Sequence, residues 1–130
     1  MIISAQHKTN IPIRKILIIQ LGDIGDVVWA IPAFWAVKAA YPAAELSVLT
    51  RNPNGDLLLA DPHINQVYQI GKEGALKDFL QLVKLHLKKF DLFFDLRADE
   101  RGTIMSYLIH AKIRAALYYP GLKWSANARQ

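Results

Sequence analysis

Hydrophobic and polar positions change period several times along this chain, and each change marks an element. Residues 16–19 (ILII) are a short, unbroken, β-branched run that gives way to Gln20 and then Gly22. That pattern predicts a strand over about residues 15–20, buried on both faces. A tight loop follows, Leu21-Gly22-Asp23-Ile24-Gly25-Asp26. The next segment is apolar and helix-compatible, predicting a helix over about residues 26–41 that Tyr41-Pro42 ends. Pro32 sits inside it, so a kink or break near Ile31 is expected. Trp29, Phe34 and Trp35 in this helix are expected in the core or at a domain interface.

Further strands are predicted at about residues 45–50, 66–70, 90–96 and 113–118. The Arg51-Asn52-Pro53-Asn54-Gly55 loop lies at the carboxyl end of the second, with about one helical turn expected over 56–60. Residues 77–90 give the clearest amphipathic pattern. Leu76, Phe79, Leu80, Val83 and Leu87 recur at helical spacing, and Lys77, Gln81, Lys84 and Lys88 share the other face. His86 reads as a surface or boundary residue. A last helix is predicted over about residues 102–110, with Ile104, Tyr107 and Leu108 packing inward. Strands alternating with helices argue for an α/β fold, a Rossmann-like open parallel sheet covered on both faces. The expected organisation is a leader over 1–13, one Rossmann-like domain over 14–119 and a polar tail over 120–130.

Composition narrows the function. With 130 residues, 52% of them apolar, the chain suffices for one packed domain. It has no cysteine, so thiolate nucleophiles, thiolate metal sites and disulfides are excluded. The net charge of +5 and pI of about 9.6 favour an acidic partner. The basic residues are scattered, which gives no nucleic-acid stripe. Residues 1–14 lack the apolar core of a secretory signal, and the uncharged run 27–37 is too short to span a bilayer. A cytoplasmic location is the expectation, and no cluster of His and carboxylate residues has metal-ligand spacing.

The loop before the first helix is the candidate site. Helix starts offer N–H groups and positive potential to phosphates. The pattern here, however, is Gly-x-x-Gly-Asp and not the dinucleotide Gly-x-Gly-x-x-Gly. Asp23 and Asp26 would also repel a phosphate, by about 4 kcal/mol per pair of unit charges at about 4 Å. Asp26 reads in two compatible ways: as a helix cap, or as a general base facing a crevice. Asp23 reads as a solvated or loop-bonding residue.

Residues 18–28 (IIQLGDIGDVV), with Ala30-Ile31-Pro32-Ala33 after them, resemble the opening of the family-nine glycosyltransferases, the heptosyltransferases of the lipopolysaccharide inner core. The likeness continues through Tyr41-Pro42, Asp61-Pro62-His63-Ile64 and the segment from Phe90 through Asp95-Leu96-Arg97, over about residues 14–119. It implies that Asp26 activates an acceptor sugar hydroxyl. It implies that Gly22 and Gly25 let the loop turn and bring backbone N–H groups near the acceptor or the donor phosphate, with Asp23 beside them. Arg51, Arg97 and Arg101 would bind acidic groups of the substrate, although a salt bridge of Arg97 or Arg101 with Asp99 or Glu100 is as good a reading. The implied partners are a lipopolysaccharide-core or other glycan acceptor and a sugar nucleotide such as ADP-heptose. The resemblance implies no metal or other cofactor and no nucleic acid. It also implies peripheral contact at the inner face of the cytoplasmic membrane.

The chain departs from the family in places. Arg97-Ala98-Asp99-Glu100 stands where the family often has Gln-Gly, and Ala115-Ala116 where its last strand usually has a Gly. The family fold, GT-B, pairs two Rossmann-like domains across a cleft, and the second binds the sugar nucleotide. By resemblance this chain is the N-terminal, acceptor-side half, expected to be inactive alone. Rival readings are a nucleotide-binding Rossmann-like module, a non-catalytic interaction domain using its exposed aromatics, and a phosphoacceptor receiver. The receiver would need an Asp ending the third strand and a Lys ending the fifth, and neither is present.

Overall fold

The computed structural model describes residues 12–71, 74–96 and 108–116. Over these the chain forms β1 (Lys15–Gln20), α1 (Ile24–Ala40), β2 (Glu45–Arg51), a short 3-10 segment (Asn54–Leu58), β3 (Gln66–Ile70), α2 (Ala75–Lys88), β4 (Phe90–Asp95) and β5 (Ala111–Ala116). The sheet order is β3-β2-β1-β4-β5, and every neighbouring pair is parallel. This is the Rossmann-like open sheet expected. Its order also excludes the receiver reading, because that fold sets its strands in the order 2-1-3-4-5.

β1 is the central strand. Ile16 and Ile18 lie opposite Leu46 and Val48 of β2 on one side, and Leu92 and Phe94 of β4 on the other. Residues 16–19 are at most 1% exposed. Because successive side chains alternate, Ile16 and Ile18 enter a core with Val27, Ala30, Phe34 and Val37 of α1. Leu17 and Ile19 enter a second core with Leu85, Phe90, Phe93 and Ile109. Each such fully buried aliphatic side chain contributes about 1.5–3 kcal/mol.

α1 begins two residues earlier than its sequence pattern suggests. Asp23 is the N-cap and Asp26 the third helical residue, and together they make a capping box. The break expected near Ile31 does not occur. Pro32 removes an N–H from the ladder, but Val28 and Pro32 both lie on the exposed side, where water can serve the orphaned carbonyl. Of the three aromatics only Phe34 is core. Trp29 is 86% exposed, and Trp35 is partly exposed with its indole N–H donating to Asp61 Oδ2 (2.9 Å).

α2 departs most from expectation. An amphipathic helix over a sheet ordinarily buries its apolar face. Here Leu76, Phe79, Leu80, Val83 and Leu87 are all exposed, while Leu85 is sealed and Leu82 packs beside it. Polar tethers explain the rotation. Asp78 accepts the Gly71 N–H (2.9 Å), His86 Nδ1 meets the Leu108 carbonyl (2.9 Å), and Lys88 Nζ reaches Glu45 (3.5 Å) and lies over the Tyr68 ring (5.2 Å). Asp78, Leu82 and Leu85 share a face at i, i+4 and i+7, so these bonds and the Leu85 contact select the same side.

Smaller corrections are local. β2 extends to Arg51, β4 stops at Asp95, and β5 begins two residues earlier than expected. The 3-10 segment covers 54–58, not 56–60. Most of the expected 102–110 helix, including Ile104 and Tyr107, falls outside the described residues, as do the tail and residues 1–11 of the leader. Leu108 is exposed, and the buried residue there is Ile109.

Asp91 ties the entry of β1 to β4 and β5. Its carboxylate accepts the N–H groups of Arg14 (2.8 Å) and Lys15 (3.0 Å) and pairs with Lys112 (3.3 Å). Burial works to raise the Asp91 carboxyl. The two N–H donors and Lys112 outweigh it and hold the group below its ordinary value.

Two predictions follow from this packing. Leu85→Ala should cost about 2–5 kcal/mol in chemical denaturation, whereas Leu87→Ala, two residues away, should stay within about 0.5 kcal/mol. Equal losses would mean α2 is rotated. A depressed folded pKa means that Asp91 contributes its full stabilisation above the unfolded value of about 3.9 and loses it as pH falls through the folded value. Asp91→Asn should therefore lower stability at neutral pH by about 1–3 kcal/mol and flatten the decline below about pH 4, read by denaturation at a series of pH values.

Candidate functional site

Strand order reverses between β1 and β4, and open α/β sheets hold ligands at the carboxyl ends of the strands beside that reversal. The loop from Leu21 to Asp26 leaves β1 at this edge. Its base is braced by buried polar side chains. Gln20 Oε1 accepts the Gly22 N–H (3.1 Å), and Asn54 Nδ2 donates to the Gly22 carbonyl (3.0 Å). The Leu96 N–H donates to the Ile19 carbonyl (3.3 Å), closing the end of β4 against β1.

Asn54 is itself held by the 3-10 segment. The Gly55 N–H donates to Gln69 Oε1 (3.1 Å), and Gln69 Nε2 donates to Asp56 Oδ1 (2.8 Å). A Cβ on Gly55 would collide with the Thr50 hydroxyl and lie 2.8 Å from the Gln69 side chain. A side chain at 55 therefore requires Thr50 and Gln69 to shift.

The rim of the loop is charged and open to solvent. The Asp23 N–H donates to Asp26 Oδ2 (3.0 Å), and Arg51 Nη2 donates to Asp23 Oδ1 (2.6 Å). The Asp23 side chain is 82% exposed, so this ion pair contributes no more than about 1 kcal/mol, and an anion can compete for Arg51. Asp26 is exposed in the first turn of α1, where the helix dipole favours a carboxylate.

Gly22, Asp23, Gly25, Asp26 and Arg51 thus come together at one edge. Arg97 and Arg101 lie outside the described residues. Gly25 does not make the turn: it is the second residue of α1, its φ is not left-handed, and a Cβ there would meet nothing within 4 Å. Its missing side chain instead leaves the helix start uncovered. Gln20, Asn54 and Asp95 escaped sequence reasoning. Gln20 and Asn54 brace the loop, and Asp95 is a buried carboxylate ending β4 opposite Ile19. The available signal was a polar residue at the carboxyl end of an apolar strand, in both Gln20 and Asp95.

A parallel sheet of this order, with a short loop at the point of reversal, defines a Rossmann-like fold. Its solved counterparts are glycosyltransferases. The structure of a family 9 glycosyl transferase from Veillonella parvula matches with a TM-score of 0.71 at 19% identity, over 91% of this chain and 37% of that one. Escherichia coli heptosyltransferase WaaC, solved with ADP-2-deoxy-2-fluoro heptose, matches at 0.72 and 14% identity, over 88% of this chain and 39% of that one. E. coli ADP-heptose lipopolysaccharide heptosyltransferase II matches at 0.65 and 19% identity, over 78% and 30%. Among curated proteins, a Haemophilus influenzae protein named "Putative glycosyltransferase" is 29% identical over 112 residues, 85% of this chain. The chain spans 32% of the length of that relative. No protein-family model matches. The fold is that of one part of the GT-B heptosyltransferase structures, as the sequence resemblance implied.

The two glycines of the site region should respond oppositely. Gly55→Ala should destabilise by about 1–3 kcal/mol through overpacking. Gly25→Ala should be neutral or stabilising by up to about 1 kcal/mol. Urea denaturation of the two variants checks both.

Proposed function

We propose that this chain is the N-terminal, acceptor-side domain of a heptosyltransferase-like glycosyltransferase that works with a donor-binding domain across a cleft. The observation that carries this reading is the position of Asp26: an exposed carboxylate on a braced loop where the strand order reverses. In the proposed reaction Asp26 takes the proton of an acceptor hydroxyl. The oxygen attacks the anomeric carbon of the activated sugar, and the bond from that carbon to the nucleoside diphosphate breaks. Arg51 exchanges its contact with Asp23 for an acidic group of the acceptor, and Arg97 and Arg101 serve the same end. The uncovered start of α1 at Gly25 admits the substrate to the backbone.

The acceptor class proposed is a lipopolysaccharide-core glycan, and the donor a sugar nucleotide such as ADP-heptose. The coverage of about a third of each relative supports the assignment to one domain of a larger arrangement. Orientation of donor against acceptor supplies about 7–11 kcal/mol of such a barrier, and one wall of a cleft does not provide it. The chain alone is therefore inactive in this reading. No helix among the described residues is long and apolar enough to cross a membrane.

Three measurements test the proposal. The 130-residue chain, incubated with ADP-heptose and a lipopolysaccharide-core acceptor, should give no transfer, and robust turnover would refute the one-domain reading. In the form carrying a donor domain, Asp26→Asn should lower kcat by about 10²–10⁴-fold with little change in KM. Calorimetric titration of the isolated chain should show acceptor binding without ADP binding. The reverse result would favour a nucleotide-binding module.

A further inference from the structure

Trp29, at 86%, is the most exposed large apolar residue among those described, and the proposed reaction gives it no part. Its place on α1 shows what it overlooks. Successive residues of an α-helix turn by about 100°. Trp35 donates to Asp61 (2.9 Å) and Lys38 to Asn65 (3.2 Å), so one flank of α1 faces the segment between β2 and β3. Trp29 lies about 120° round from Trp35 and Asp26 about 180°. Both therefore belong to the other flank, the one toward β4 across the strand reversal. Phe94 and Leu96, at the end of β4 and just past it, pack against the core under α1 and are only partly buried.

Helix side chains lean toward the N-terminus, over the turn before their own Cα. The Trp29 indole therefore reaches toward Gly25 and Asp26, four and three residues before it. A Cβ on Gly25 would meet nothing within 4 Å, so the indole does not fill the space beside that glycine. A slot is left, with an aromatic face on one side and a carboxylate at its end. We propose that Trp29 is a stacking platform for the sugar ring of the acceptor, an assignment that rests on the acceptor-side role proposed for this domain.

A pyranose ring presents C–H groups on its faces and hydroxyls around its rim. An indole face takes the C–H face and excludes water from it. A carboxylate accepts from a rim hydroxyl. Asp26 and Trp29 supply both, one turn apart, with about 5–6 Å between Cβ atoms. One sugar ring spans that distance. The indole face is itself negative, so it takes a neutral ring and leaves the acidic groups of the acceptor to Arg51. A donor domain seated on Trp29 would also seal Asp26, which shares its flank, and an enclosed base has no access to the acceptor. Stacking is made equally in the ground state and the transition state, so it lowers KM and leaves the chemical step alone.

The test is the tryptophan emission of the full chain, titrated with a lipopolysaccharide-core oligosaccharide and, separately, with ADP. The oligosaccharide should shift the emission to the blue, because stacking takes the Trp29 indole out of water. Trp29→Phe should abolish the shift, while Trp35→Phe and Asp26→Asn should keep it. In the form carrying a donor domain, Trp29→Ala should raise the acceptor KM about tenfold and leave kcat within about twofold. Trp29→Tyr, which keeps an aromatic face, should stay within about threefold of wild type. Acceptor binding in calorimetry without a Trp29 emission shift overturns this inference and leaves the acceptor-side reading standing. Absence of any acceptor binding overturns both. A shift produced by ADP assigns Trp29 to the nucleotide. A lower thermal midpoint of Trp29→Ala in the two-domain form assigns it to the domain contact. Either result overturns the inference.

Discussion

β1 is closed to water on both faces and hydrogen-bonded along both edges. Everything around it is arranged by that constraint. Its alternating side chains commit the chain to two cores, one under α1 and one under α2. Its backbone commits β2 and β4 to its two sides. A strand so enclosed has to release the chain at its end without stranding polar backbone groups. That is the physical role of Gln20 and Asn54, which satisfy both backbone groups of Gly22 from within. The loop leading to Asp26 is thus braced from beneath at Gly22.

The two faces of the sheet differ in how they are covered. On one face α1 inserts Val27, Ala30, Phe34 and Val37, a full helical stripe. On the other, α2 contributes Leu85 and Leu82 and relies on polar tethers at Asp78, His86 and Lys88. Hydrogen bonds made at three places along a helix fix its rotation, and the remaining hydrophobic surface then follows, here outward. The strongest apolar pattern of the chain is thus a surface feature. Asp23 and Arg51 show the same economy at the site, where exposed charges are paired across the rim without being buried.

Strand periods were legible because a buried run such as ILII, or alternation such as QVYQI, reflects only the nearest neighbours of each residue. The glycine loop and the first carboxylates of α1 were legible for the same reason, and Gly22, Asp23, Gly25, Asp26 and Arg51 do meet at one edge. Reasoning failed where a residue's role depends on a distant partner. Asn54 read as a loop residue, yet it holds Gly22, 32 positions away. Trp29 read as core or domain interface by its bulk, and its 86% exposure excludes the core half of that reading. Gly25 read as a turn-former, whereas a glycine with no room for a Cβ is Gly55, under Thr50 and Gln69.

By itself, the order of residues determined that strands and helices would alternate, that β1 would be buried on both faces, and that a carboxylate would stand where it hands over to α1. Local periodicity and loop chemistry suffice for that. Only the folded chain decided the strand order that puts this loop at a reversal, the side on which α2 rests, and the braces beneath Gly22. Those depend on contacts between segments far apart in the chain, and no window of neighbouring residues contains them.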